Sequence, residues 1–199
     1  MKKIILIGAG GHCKSCIDVI EREKKYKIIK IFDKNKKIKK LLNYKVFLQK
    51  NLDTSLKKNY AFITVGQIKN SEIRYNLFKK LKKYGFKIPK IISPYAYVSK
   101  HAHIGEGSIV MHNAVVNAGA KIGKNCIINT SSLIEHDVII GDHTHISTNA
   151  VINGGTKIGS KVFFGSSSVT KQNIIIKDNI LISAKNLLKK TYNQNEKSN

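Results

Sequence analysis

The sequence predicts two parts: an α/β Rossmann-like N-terminal domain and, behind it, a parallel β-helix of hexapeptide repeats. Two observations carry that expectation, a strand, glycine turn and helix at the start and a six-residue hydrophobic period from Val98 onward. The 199 residues are 42% apolar and 24% charged, enough chain to bury a core and a composition unlike that of disordered or fibrous proteins.

In the N-terminal part, Ile4 to Ile7 is an apolar run followed by Gly8-Ala9-Gly10-Gly11-His12, and Cys16, Ile17 and Ile20 then recur at helical spacing. A second strand, Ile28 to Phe32, ends at Asp33, where a Rossmann-type unit puts an acidic side chain near a ribose or base. The Gly-x-Gly-x-x-Gly fingerprint is incomplete because Cys13 stands at its third glycine. What remains is a turn whose backbone can approach a phosphate at a helix N-terminus, with His12 as a further donor. Tyr60 to Gly66 reads as a third strand, Ser71 to Tyr84 as a helix capped by Asn70 or Ser71 and ended by Gly85, and Phe86 to Ile92 as one more short strand. This alternation assigns residues 1–92 to a parallel α/β domain.

From Val98 the period of six holds through Ile104, Val110, Val116, Ile122, Ile128, Ile134, Ile140, Ile146, Ile152, Ile158 and Phe164. Two places before each stands a second, mostly small set, from Ala96 to Val162, and glycine follows the bulky residue at 105, 123, 141, 159 and 165. Each unit makes one flat side of a prism and three sides make an eighteen-residue coil, so these twelve units predict four coils. Stacking has to supply the stability, and the ends need caps. The α/β domain is expected to cap the first coil and an irregular stretch, Ser166 to Ser183, the last, which bounds the β-helix at 93–183 and leaves 184–199 as a C-terminal tail, polar and disordered from Tyr192. The flat outer faces of such a prism predict self-association.

The formal charge of +24 suggests a polyanionic partner. However, arginine occurs only at Arg22 and Arg74, and nearly all of the charge is lysine, which favours solvated faces over a nucleic-acid groove. There is no apolar run of about 18 residues to span a bilayer, and Met1 to Gly8 is too short for a signal peptide. Three cysteines, Cys13, Cys16 and Cys126, form no even framework and fit a reducing compartment. The expectation is therefore a cytoplasmic protein with neither nucleic-acid nor membrane partner. Cys13 and Cys16 have redox spacing, but as two small buried residues on a helix face they need no redox role.

The Gly8–His12 start, the hexapeptide array and the segment Asn129-Thr130-Ser131-Ser132-Leu133-Ile134-Glu135-His136-Asp137 together resemble the bacterial acyltransferases of the left-handed β-helix superfamily that modify nucleotide-linked amino sugars or sialic acids. The resemblance covers nearly the whole chain and implies the left hand of the helix, a homotrimer, and transfer of an acetyl group from acetyl-CoA with His136 as general base. In that role His136 falls two places after the interior Ile134, near a corner, and its neighbours one coil away are Ala118 and Gly154, small enough to leave room for a thioester and an amine. An unperturbed imidazole titrates near about 6.5 and can take the proton lost by an attacking amine. Asp137 or Glu135 could orient the ring, and Asp137 stands where the family more often has Glu.

The resemblance also places His145 near acetyl-CoA. Half a coil separates it from His136, so the two meet only if adjacent protomers share the site. Gly154, Gly165 and Ser166 would contact the pantetheine arm, although Leu181-Ile182-Ser183-Ala184-Lys185 keeps only Ala-Lys of the family's Gly-x-Pro-Ala-Lys turn. In the N-terminal domain Gly10, Gly11 and His12 would lie at the acceptor's diphosphate, Asp33 and Lys34 near its nucleoside, and Gly66 would allow close approach. No metal is implied, and His101, His103, His112 and His143 acquire no role. The implied reaction is N-acetylation of a nucleotide-linked 4-amino-4,6-dideoxy sugar for surface glycans or nonulosonic acids. O-acetylation of sialic acid and a non-catalytic nucleotide-sugar-binding scaffold remain open as alternatives.

Overall fold

A computed structural model describes residues 1–193. Strand β1 (Lys2–Ile7) runs into α1 (Gly11–Glu23), and β2 (Tyr26–Asp33), β3 (Lys40–Leu41), β4 (Tyr44–Leu48), β5 (Tyr60–Ile63) and α2 (Glu72–Lys83) follow. The sheet order is β3-β4-β2-β1-β5. β4, β2, β1 and β5 are parallel, and β3 adds an antiparallel edge through a hairpin that sequence reading did not predict. Both faces of β1 are covered: Ile4 and Leu6 pack with α1, Ile5 and Ile7 with α2, which is why the strand is a continuous apolar run rather than an alternating one.

The prism begins earlier and ends later than the sequence reading expected. Ile91–Ile92, assigned above to the α/β domain, pairs in parallel with Ile109–Val110 and is the first strand of the β-helix. At the other end the phase does not break. After Phe164 the interior positions are Thr170, Ile176, Ile182 and Leu188, and their strands stack on the preceding coil. Thr170 hides the continuation because it is polar, but its hydroxyl accepts from the Asn153 amide at 2.9 Å and so satisfies itself inside. Ser166 to Ser183 is therefore regular β-helix, and part of the expected tail, Leu187–Leu188, is a strand. Tyr192 bridges Ile176; residues 194–199 of that tail lie outside the described residues.

Three parallel sheets of six, six and five strands make the faces of this left-handed prism. The first face runs from Ile91–Ile92 through His145–Ile146 to Leu181–Ile182, the second from Tyr97–Val98 to Leu187–Leu188, and the third from His103–Ile104 to Ile175–Ile176. Register is fixed at 18 residues: Val116 lies beside Ile134 and Ile134 beside Ile152. The small set at Ala114, Ala120, Cys126, Ser132 and their successors is fully buried alongside the aliphatic set. The coils approach so closely at one corner that a Cβ on Gly141 would lie 2.6 Å from the Gly159 carbonyl carbon, which explains the glycine column noted in the sequence.

The N-terminal domain sits on the first face. Ile91, Ile109 and Ile127 point outward from that face, yet they are fully buried because they share a core cluster with α1 and the sheet. Among the described residues no helix is long and apolar enough to cross a membrane. Ile128, unexposed and stacked between Val110 and Ile146, tests the interior. Ile128→Ala is expected to lower the unfolding free energy by about 3 kcal/mol, read from the shift in urea midpoint at unchanged slope.

Candidate active site

At the corner between the second and third faces, Glu135-His136-Asp137 leaves the strand Leu133–Ile134. Asp137 takes a left-handed backbone conformation, φ 60°, which Asp and Asn tolerate better than most residues. This turn carries its carboxylate back to the imidazole: Asp137 Oδ2 is 2.9 Å from His136 Nδ1, with both side chains largely exposed. A neutral ring that donates from Nδ1 to a carboxylate keeps Nε2 bare as an acceptor. Glu135 has a different task, since its carboxylate accepts from Asn117 Nδ2 at 3.0 Å and from the His136 amide at 3.3 Å, which ties the loop to the coil beneath it.

One coil further on, Gly154 lies under the ring. A Cβ there would stand 2.7 Å from both Cε1 and Nε2 of His136, so the bare backbone is what admits the imidazole in this pose. The structure thus brings His136, Asp137 and Gly154 together. Gly165 and Ser166 are at another corner, between the first and second faces, where Ser166 Oγ meets Ser147 Oγ at 2.9 Å.

His145 is on the first face and points into the junction between the two domains. Its Nδ1 donates to the Gln67 carbonyl at 2.6 Å, its Nε2 accepts from Asn129 Nδ2 at 3.1 Å, and Phe163 meets it edge-on. Both nitrogens are satisfied by the neutral tautomer, and burial chiefly, then the Arg74 charge, brings its pKa down to about 4 against the opposing bond to Gln67. Beyond it, Phe163 and Leu181 line a cavity of about 90 Å³ with Gln67, Lys69, Glu72 and Lys161. His143 is packed between Tyr75 and Phe78 and bonded to Asn125. Sequence reading missed that burial because it depends on α2 lying over this part of the prism.

In the N-terminal domain the sequence-predicted residues converge at the C-terminal ends of β1, β2 and β5. Gly10 precedes α1 without a side-chain cap, and no acidic residue occupies the first turn, so the positive end of the helix is open. Asp33 ties this turn by accepting from the Ala9 amide at 2.6 Å and the Asn35 amide at 2.7 Å. Gly66 passes over His12, where an added Cβ would come within 3.5 Å of the His12 Cβ. His12 Nε2 is buried without a partner among the described residues, and burial first, then Arg74 and His145, brings this imidazole down to about 3. Lys34 stands apart, lining a groove of about 270 Å³ with Gln49, Ile73, Asn76 and Lys80. The Cys13 and Cys16 thiols are pushed up by burial, opposite to what a reactive pair requires.

His12 and His145 are neutral in the fold but protonate near about 6.5 once unfolded. Between pH 6.5 and about 4 the unfolded chain therefore binds more protons, so their contribution to stability is complete above pH 6.5 and is lost as the pH falls. Urea unfolding at pH 7.5 and 5.0 is expected to show a drop of on the order of 1–2 kcal/mol per imidazole, and His145→Gln is expected to make that drop shallower.

Two family models match the chain in succession: the PglD N-terminal domain over residues 3–81 and the GMPPB C-terminal domain over residues 92–198, the latter more than half of the chain. Among solved structures, the acetyltransferase domain of PglB from Neisseria gonorrhoeae FA1090 is 27% identical, with a TM-score of 0.89 over 98% of this chain and 94% of that one. The same domain in complex with acetyl coenzyme A is 29% identical, with a TM-score of 0.84 over 92% and 88%. PerB from Caulobacter crescentus, in complex with CoA and GDP-perosamine, is 25% identical, with a TM-score of 0.88 over 96% and 90%. The chain belongs to the GMPPB C-terminal domain family by its β-helix and, with a PglD-type domain in front of it, to the hexapeptide-repeat sugar acetyltransferases.

Proposed function

We propose that this acetyltransferase moves the acetyl group of acetyl-CoA to the 4-amino group of a nucleotide-linked 4-amino-4,6-dideoxy sugar, with His136 as general base. The observation that carries the reading is the His136–Asp137 pair over the bare backbone of Gly154, in a chain similar to a PglB domain that binds acetyl coenzyme A and to PerB, which binds GDP-perosamine.

Acetyl-CoA supplies the activated thioester. As the acceptor nitrogen bonds to the acetyl carbon and the carbon–sulfur bond breaks, His136 Nε2 takes the proton that the amine sheds and can return it to the departing sulfur. Asp137 stabilises the imidazolium at Nδ1, and Glu135 and Asn117 hold the loop. The open N-terminus of α1 at Gly10 and Gly11, together with the unpartnered Nε2 of His12, suits an acceptor diphosphate. Asp33 would lie toward the nucleoside, with Gly66 giving close approach, whereas Lys34, expected beside it, lines the separate groove next to α2. This divides the chain into an acceptor-binding N-terminal domain and a β-helix for the donor. His136→Ala is expected to reduce thiol release from acetyl-CoA by about 10²-fold or more with the fold intact. Gly154→Ala should act in the same direction by displacing the ring. The assay uses UDP-, GDP- and dTDP-linked 4-amino-4,6-dideoxy sugars beside free sialic acid. Wild-type silence with all four acceptors would sink the assignment, and a signal with sialic acid alone would move it to O-acetylation.

The working unit in this reading is a homotrimer in the cytoplasm. His136 and Gly154 occupy one corner of the prism and Gly165 and Ser166 another, so a neighbouring prism can bring the two sets to one donor; His145, expected from the sequence to join them, is instead buried under Gln67 with both ring nitrogens bonded and takes no part in that contact. A column of outward apolar residues, Tyr97, Val115, Leu133, Val151, Val169 and Leu187, runs the length of the second face and offers a surface for that contact. The three free cysteines fit a reducing compartment. Val151→Glu is expected to give monomers in sedimentation velocity and to lose turnover along with assembly; monomers with full turnover would show that the site is complete within one chain.

A further inference from the structure

Arg74 is buried, 1% exposed, and among the described residues no carboxylate is paired with it. Its Nη1 donates to the carbonyls of Ile63 at 3.0 Å and Val65 at 2.6 Å, at the end of β5, and its Nη2 donates to Asn125 O at 3.2 Å and Oδ1 at 2.8 Å, on the β-helix. Asn125, itself unexposed, returns a bond to the Arg74 carbonyl and reaches His143. Burying a guanidinium among carbonyls alone is expensive, and its Nε has no partner among the described residues. An apolar residue would fill the space more cheaply, but only a planar, forked cation reaches acceptors on both domains at once.

The segment that Arg74 grips is gripped again two residues on. Gln67 accepts from His145 through its carbonyl and donates from Nε2 to the Val162 carbonyl at 3.2 Å. Between these anchors Gly66 crosses over His12, whose Nε2 is the unpartnered group of the acceptor crevice. The last turn of the crevice is thus fastened to the prism at Asn125, His145 and Val162, while its other walls, the α1 turn and Asp33, belong to the N-terminal sheet.

We propose that Arg74 is a positioning residue for the acceptor: through Ile63, Val65 and Gly66 it fixes the His12 side of the crevice at one distance from the β-helix, so that an acceptor held by the N-terminal domain is presented to the transfer site in a single pose. The inference rests on the acceptor-binding role proposed above for this crevice. It separates acceptor from donor, because Arg74 touches neither the His136 corner nor the Gly165–Ser166 corner.

The test pairs Arg74→Lys, which keeps the charge and loses the fork, with Asn125→Gly, which suits the φ of 53° at this corner and weakens the prism side of the link by removing the Asn125 side-chain bonds to Arg74 and His143 while its carbonyl stays in place for Arg74 Nη2. Thiol release is measured against acceptor and acetyl-CoA separately, and dissociation constants of UDP, GDP and dTDP are measured by calorimetry. The expected result is a rise in acceptor KM of about fivefold for Asn125→Gly and about tenfold for Arg74→Lys, an acetyl-CoA KM within about twofold of wild type, and a double variant no worse than Arg74→Lys alone. KM values that rise together for both substrates, or stay flat for both, in folded protein would overturn the proposal, as would full additivity in the double variant. If Arg74→Lys does not fold, Asn125→Gly decides. If wild type acetylates none of the sugars, the reaction falls but the link is still read by the nucleotide that wild type binds best: weaker binding to Asn125→Gly supports it, and unchanged binding, or no binding of any of the three by wild type, overturns it.

Discussion

The constraint on which the rest depends is the coil length. With parallel strands in register at 18 residues, every side chain in the β-helix has a near-copy of its position directly above and below it. An interior aliphatic can be buried only because the coils on either side are also aliphatic there, and a corner glycine has to be glycine because the next coil's backbone is already in the space. The same rule builds the site. His136 has its pose because the residue stacked on it is Gly154, and Asp137 turns over the place where Gly119 has no side chain. The His136–Asp137 pair is an irregularity in one storey, permitted by smallness in the storeys that touch it.

The interior columns were legible in the sequence because they depend on the chain's own periodicity. Its outer surface was not, because burial there is decided by what lies against it. Ile91, Ile109 and Ile127 are outward on the prism and inward to the protein, and His145 looks from its spacing like a surface histidine until Gln67 is seen to cover it. Ile91–Ile92 was read as part of the first domain because strand propensity says nothing about which sheet a strand joins. The final coils were lost at a single polar residue, Thr170, whose partner is a backbone amide that no sequence pattern displays. The β3–β4 hairpin was lost among lysines that alternate too weakly to mark a strand. Of the site, the motif around His136 and the glycine turn were readable as strings, whereas the bond that selects Asp137 over Glu135 as the ring's partner required the left-handed turn between them.

The two halves are joined in two chemically distinct ways. Near the first coils the contact is a continuation of the hydrophobic core, with α1 lying on three isoleucines. Further along it becomes polar and specific, through Gln67, Arg74, Asn125, His143 and His145. A second polar tie runs from Asp18 on α1 through His112 to Ser93, at 2.8 and 2.6 Å. Apolar burial supplies non-directional adhesion, and the buried hydrogen bonds remove the remaining freedom to slide, because a shift by one coil would leave several buried donors unmet.

Each full coil turns three left-handed corners, and the column of Asp137 fills its own from a short menu. Along the column of Asp137 the occupants are Gly119, Asp137, Gly155 and Asn173, all at positive φ. Short polar side chains tolerate this conformation best, although longer ones also adopt it at other corners, as Lys161 and Lys185 do. The acid that orients His136 is thus recruited from residues the scaffold already requires for its own geometry. A lineage built this way can acquire or discard a carboxylate beside an exposed imidazole by exchanging one corner residue for another that suits the same backbone, so the pair can come and go without passing through an unstable fold.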